Sequence, residues 1–419
     1  MSTPIEDHTS LPASGIGAEA NLNFLGQLRR LWQGDTGLWP ILIGLLALII
    51  YFEARSSVFL SAQNITNLFS QATIFILLGM AEIWLLLMGD IDLSIGYSAG
   101  IGGAVAVILT STQHHWAFWI ALPLGLLACT VTSMVWGVLC IRLRLPSFIV
   151  TLAGQIGLLG LLLYLIDSQG NTGGTLPVQE KVLYELVNGN LNPLATWIVI
   201  LVSVALLSWI ILRGEQRRRS AGLEEKPMWL VLCKVGALVV AGIGLALIFN
   251  ANRSNYTRLV GMPFAVPIDL GVLAAGTYIL TKTRAGRYIY AIGGNVEAAR
   301  RAGIAVNRYR LLAFVFSGFT TGVAGLLYVS RLGGISSGIE GGTYVLYAVA
   351  AGVIGGTSLF GGRGKMIHAV IGGLVIATID NGMALINVNA AGLYMVTALV
   401  LLAAVMVDSI ARRGNTSNG

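Results

Sequence analysis

Residues 77–96 read LLGMAEIWLLLMGDIDLSIG. From Leu77 to Met88 the only charged residue is Glu82, with apolar neighbours on every side. A helix that is apolar all round belongs inside a bundle or a membrane, not at a water-facing surface. The pattern then breaks. Asp92 followed by Ser94, flanked by Gly89 and Gly96, reads as a sharp interruption between two apolar segments. Asp90 or Asp92 can cap the second segment by accepting the free N–H groups at its start. A broken helix at membrane depth is also how transport proteins bring polar groups to a solute or form a gate, so Asp90, Asp92, Ser94 and Gly96 are candidates for a translocation path.

The rest of the chain fits this stretch. Of 419 residues, 55% are hydrophobic and 11% charged, far below the charged share of a soluble domain. Runs of 17–25 apolar residues centre on 38–52, 66–88, 92–111, 117–141, 147–166, 194–212, 228–249, 264–281, 311–329, 344–360, 366–387 and 392–409. Several are short or interrupted by glycine. The sequence therefore predicts an all-α, polytopic membrane helical bundle with 10–12 transmembrane helices, some broken or re-entrant. Its organisation reads as a tail over 1–37, a membrane domain over 38–409 and a second tail over 410–419. The first apolar run lies well beyond Met1, follows Arg29 and Arg30 and lacks a small-residue cleavage site, so it is expected to stay as an anchor. Leu22, Leu25, Leu28 and Trp32 recur at helical spacing and predict a short helix on the inner membrane surface.

The formal charge of +7 invites a nucleic-acid reading, but the placement of the cations explains it better. With twelve spans and a cytoplasmic N-terminus, 20 of the 26 Lys and Arg fall in inside loops, among them the seven from Lys282 to Arg310. Arg55, Lys181, Arg253, Arg258 and Arg331 fall outside, and Lys234 lies within a span. This is the positive-inside distribution, with both termini cytoplasmic, and it calls for no nucleic acid.

Enzyme chemistry finds no footing in the sequence. The stretch GGTSLFGGRGKMI (355–367) superficially resembles a phosphate loop, yet Leu359 and Met366 stand where that pattern needs glycine and Ser or Thr. Cys129, Cys140 and Cys233 all fall in apolar runs without ligand spacing and read as small hydrophobes, so neither a catalytic nor a metal site is expected. The 53 glycines, scattered through the spans, suit close helix packing and broken helices. Polar residues at membrane depth carry more weight, because each costs several kcal/mol unless it is paired or hydrated. Glu82 is one; Asp380, Asn381 and Asn387, within the apolar run IATIDNGMALINVN (376–389), are three more, and all four are further candidates for the translocation path or its gate. The asparagines could hydrogen-bond a sugar or hold helices together.

The loop 282–310 holds seven cations and a single acid, and it contains GGNVEAARRAGI (293–304). Asn295 can cap a helix there, Glu297 suits its positive start, Arg300 and Arg301 suit its end, and Gly303 suits a left-handed stop. Two turns over 296–302 are too few to hold alone in water, so this helix needs a partner surface. Ala298, Ala299 and Ala302 offer a small, flat face shaped more for a protein groove than for lipid.

GGNVEAARRAGI resembles the coupling segment of permease subunits of ATP-binding-cassette sugar importers. GDIDLSIG (89–96), LPSFIVTLAG (145–154), GRYIYAIGGN (286–295), GGTSLFGGRGK (355–365) and NGM (381–383) extend the match over about 55–409 and resemble the ribose, xylose and galactose permease family. The extra segments around 194–249, joined by RGEQRRRSAGLEEK (213–226), look most like its xylose-type branch. Asp90 and Glu82 depart from the family's usual residues. The resemblance implies a type II importer-like fold and a homodimer in a prokaryotic inner membrane. The implied partners are an extracytoplasmic sugar-binding protein, membrane lipid and a separate ATPase with two nucleotide-binding domains, which would bind ATP and Mg in place of any cofactor on this chain. Asn295, Glu297, Ala298, Ala299, Arg300, Arg301 and Gly303 would then seat on that ATPase.

Overall fold

A computed structural model describes residues 38–170, 174–222, 228–254, 256–389, 391–399, 402 and 406. The expected interfacial helix over 22–32 and the tail 410–419 lie outside the described residues. Among the described residues the fold is predominantly helical, as expected. In order run α1 (Leu38–Arg55), α2 (Ala62–Leu86), α3 (Ile95–Leu109), α4 (Phe118–Leu143), α5 (Ser147–Asp167), α6 (Lys181–Asn188), α7 (Pro193–Ser220) and α8 (Met228–Asn250). They are followed by α9 (Ala265–Lys282), α10 (Arg284–Gly294), α11 (Val296–Arg301), α12 (Val306–Leu332), α13 (Gly341–Ile354) and α14 (Met366–Leu385). Residues 391–399 are helical as well. Two three-residue strands, β1 (Thr175–Pro177) and β2 (Gly334–Ser336), pair antiparallel with Leu176 opposite Ile335.

Among the described residues eight helices (α2, α4, α5, α7, α8, α9, α12 and α14) are long and apolar enough to cross a membrane, whereas α3 and α13 are apolar but shorter. Local chemistry sets several boundaries. Ser61 caps α2 by accepting from Asn64 N–H, and Asn192 caps α7 through Ala195 N–H at 2.7 Å, ahead of Pro193 at the first helical position. Gly333, at φ +66°, closes α12 in the left-handed region.

The centre of the bundle is α2. Nearly all of its residues from Ala72 onward are buried, packed against α12, α13 and α14, while α3 lies against α4 and α12. Missing side chains permit this closeness. A Cβ on Gly96, in the first turn of α3, would stand 2.0 Å from the carbonyl oxygen of Gly341, the first residue of α13. The two short helices thus begin against each other, and the predicted break at 88–96 is one half of a junction between two discontinuous helices.

Candidate functional site

The break lies between the C-terminal end of α2 and the start of α3. Its backbone makes little regular structure, yet four successive N–H groups are each met by a side-chain oxygen. Ile91 N–H donates to Ser147 Oγ at 3.1 Å, Asp92 N–H to Glu82 Oε1 at 3.1 Å, Leu93 N–H to Thr151 Oγ1 at 3.0 Å and Ser94 N–H to Asp92 Oδ1 at 2.8 Å. The Ser94 hydroxyl adds a 2.6 Å bond to the same Asp92 oxygen. Irregular backbone survives away from water only when such partners exist. Glu82, with no exposure at all, thus serves as an acceptor for the broken segment, while its Oε2 has no hydrogen-bond partner.

Asp90 does not cap α3. Its carboxylate forms a two-pronged ion pair with Arg310 of α12: Nε donates to Oδ2 at 2.7 Å and a terminal nitrogen donates to Oδ1 at 2.6 Å. The cap expected of Asp90 or Asp92 is met only in part, by Asp92 on Ser94, because both oxygens of Asp90 are taken up by Arg310.

That loop folds as α10 and α11 and closes on the break from the same end. Gly362 N–H donates to Leu87 O at 2.9 Å, and a Cβ on Gly293 would lie 1.8 Å from that same carbonyl. Tyr290, half-buried, donates its hydroxyl to Gly364 O at 2.7 Å, and burial pushes its pKa above the ordinary phenol value. The glycine-rich stretch 355–365, which resembles a phosphate loop on paper, is therefore a backbone clasp. Gly361 and Gly362 hold φ values of +87° and +73° that only glycine adopts cheaply.

In α11, Asn295 Oδ1 accepts from Ala298 N–H at 2.9 Å, Glu297 and Arg300 pair at 2.6 Å on the surface, and Gly303 takes φ +80°. The caps are those expected, with the helix ending at Arg301 and Ala302 as its C-cap. The flat alanine face requires correction. Ala299 is buried in the hydrophobic core, because six residues of helix are anchored to the body through it, and the free face carries Val296, Glu297, Ala298, Arg300, Arg301 and Ala302.

Asp380 and Asn381 lie elsewhere. Asn381 and Asn64 exchange side-chain hydrogen bonds of 2.9 and 3.0 Å, and Gln71 donates to Asp380. Eighteen residues of α2 separate Asn64 from Glu82, about 27 Å along the axis, so the two polar groups belong to opposite ends. The amides of Asn64 and Asn381 hold helices together. Asn387 is not in the apolar segment: α14 stops at Leu385, and Asn387 is exposed beyond it at φ +55°. A polar cavity of about 200 Å³ sits at this other end, lined in part by Asn67, Asn190, Arg253 and Arg331.

Residues 64–215 and 245–406 match the family described as branched-chain amino acid transport system / permease component. The chain is 34% identical over 380 residues to the xylose transport system permease protein of Escherichia coli (strain K12), covering 89% of this chain and 92% of that one. The corresponding Haemophilus influenzae protein is 34% identical over 378 residues, covering 88% and 95%. The ribose import permease protein of E. coli (strain K12) is 29% identical over 369 residues, covering 88% and 92%. No solved structure matches the chain.

The chain belongs to this permease family.

The resemblance read from GDIDLSIG and GGNVEAARRAGI is thereby met, and the permease is a multi-pass membrane protein. Sequence reasoning missed the partners that make its break possible. Ser147 and Thr151 lie inside the quoted LPSFIVTLAG, and their four-residue spacing puts both hydroxyls on one face of α5, but nothing in the order of residues says which N–H groups they meet. Arg310 looked like one more loop cation.

Proposed function

We propose that this permease carries a monosaccharide, xylose or a related pentose, across the cytoplasmic membrane of a prokaryote. It works as a homodimer, driven by a separate ATPase subunit with two nucleotide-binding domains and supplied by an extracytoplasmic sugar-binding protein. The observation that carries the reading is the 34% identity to xylose permeases over nine-tenths of the chain. Support comes from α11, a short helix pinned to the body by Ala299 with its remaining residues exposed at the basic end. The loop around it suits a seat for a motor on the inner side. The family description itself favours a second cargo, a branched-chain amino acid.

Labelled xylose, ribose and leucine separate the cargoes in a strain lacking its own permease and supplied with this one and its partners. Xylose uptake that needs ATP is the expected result. Leucine uptake, or accumulation that survives without any ATPase and collapses with a protonophore, sinks the proposal. Arg300→Ala with Arg301→Ala is expected to abolish uptake while membrane insertion stays normal, and unaltered uptake removes α11 as the seat.

A further inference from the structure

The pair between Asp90 and Arg310 joins two elements that the functional reading treats separately. Arg310 lies just over one turn into α12, and α12 follows α11 after a four-residue turn over 302–305. Ile304 N–H donates back to Ala299 O at 3.1 Å, and Ala299 is itself packed in the core, so α11 and the start of α12 form one unit. Asp90 belongs to the break, two residues before Asp92, whose carboxylate sets Ser94 and the start of α3.

We infer that the Asp90–Arg310 ion pair is the link through which movement of α11 reaches the broken segment, making Arg310 a positioning residue for transport. The inference rests on the reading of α11 as the seat of an ATPase. A guanidinium fork on a carboxylate fixes both distance and plane, which a single hydrogen bond or an ammonium does not. Asp90 is almost fully buried, with 9% of its side chain exposed, and Arg310 retains 25%, so water screens the pair little. On the other side of the break, Leu87 O is held by Gly362 N–H and lies against Gly293 of α10. The break is thus gripped before Gly89 by α10 and the Gly362 turn and after it by Arg310 of α12, and Gly89 itself, at φ +79°, takes a left-handed conformation open to glycine between the two grips. Displacing Arg310 relative to Gly293 turns the segment about Gly89 and shifts α3, whose first turn abuts the first residue of α13. The pair's contribution lies in this geometry, since an ion pair out of water gives little net stability over apolar packing.

The test uses the permease with its ATPase and sugar receptor in proteoliposomes, reading sugar imported per ATP hydrolysed. Arg310→Ala and Asp90→Ala are each expected to lower that ratio about tenfold with hydrolysis close to wild type; each single variant leaves one charge unpaired and melts lower, so the double variant, which removes both charges, is the one expected to melt closest to wild type. The double substitution should be no worse than either single one, because all three remove the same contact. Arg310→Lys, which keeps the charge and loses the fork, should fall between. An unchanged ratio, transport and hydrolysis falling in parallel, or losses that multiply in the double variant overturn the inference. Hydrogen exchange gives a solute-independent measure: seating the ATPase should alter exchange at 88–94 in the wild type and not in Arg310→Ala. No alteration in the wild type, or the same alteration in both, overturns the link even if the cargo is something other than sugar; a wild-type complex that shows the alteration but imports no sugar overturns the cargo reading alone.

Discussion

Helices α2 and α7 are both long, apolar and able to span a membrane, and they live in opposite surroundings. Along α2 nearly every residue from Ala72 to Leu86 is enclosed by protein, while on α7 only Thr196 and Glu215 are buried. Leu194, Ile198, Leu201, Leu206 and Ile210 of α7 face outward, and the helix packs chiefly against α8. In lipid there is little hydrophobic gain from moving leucine between a protein neighbour and an acyl chain, so apolar content does not distinguish the two helices. What does is the company each keeps. α2 carries Asn64 and Gln71, bonded to distant α14, and Glu82, bonded to the break that follows it, and sits among glycines that let backbones touch.

The sharpest way to break this contrast is to add a side chain in each place. Gly96→Val puts carbon atoms into the Gly341 carbonyl, where backbone meets backbone, and is expected to eliminate monodisperse protein in size-exclusion chromatography. Gly214→Val on α7 meets nothing within 4 Å and should elute like the wild type. If both variants elute alike, packing does not separate the regions.

The next effect in size is at Glu82. Glu82→Ala leaves the Asp92 N–H unmet away from water and should cost about 1–3 kcal/mol, read as a lowered melting temperature in detergent. Glu82→Gln keeps the acceptor and should restore most of it; if both melt alike, the hydrogen bond is not what Glu82 supplies. Smaller still is the amide pair at the other end. Asn64→Leu or Asn381→Leu should each cost about 1 kcal/mol, and the double variant no more than Asn64→Leu alone, because the two residues bond to each other while Asn64 also donates to Phe59 O. Losses that add would show separate partners. At the bottom of the scale, Leu206→Ala on the outer face of α7 should shift melting by under about 0.5 kcal/mol, since detergent or lipid fills the space. A loss of several kcal/mol there would mean that α7 is covered by protein, as in a dimer interface.

Much of the molecule is legible in its residue order because the relevant forces are local or solvent-driven. Apolar runs long enough for a bilayer, the cations gathered between 282 and 310, the stop at Gly303 and the cap at Asn295 each depend on neighbours within a few positions. The break at Gly89–Gly96 is equally plain, since glycine and carboxylates cannot continue an apolar helix at no cost. Where Asp90 points, which oxygen meets Asp92 N–H, which face of α11 Ala299 takes and whether Asn381 is free or paired are settled by elements up to 317 positions away. Those outcomes depend on which backbones approach within contact distance, a property of the packed bundle. Sequence alone thus determined that this is a broken-helix membrane protein with a capped basic-end foot. Only the folded chain decided that foot and break are joined, because an ion pair is specified by the position of both charges and the sequence orders them without placing them.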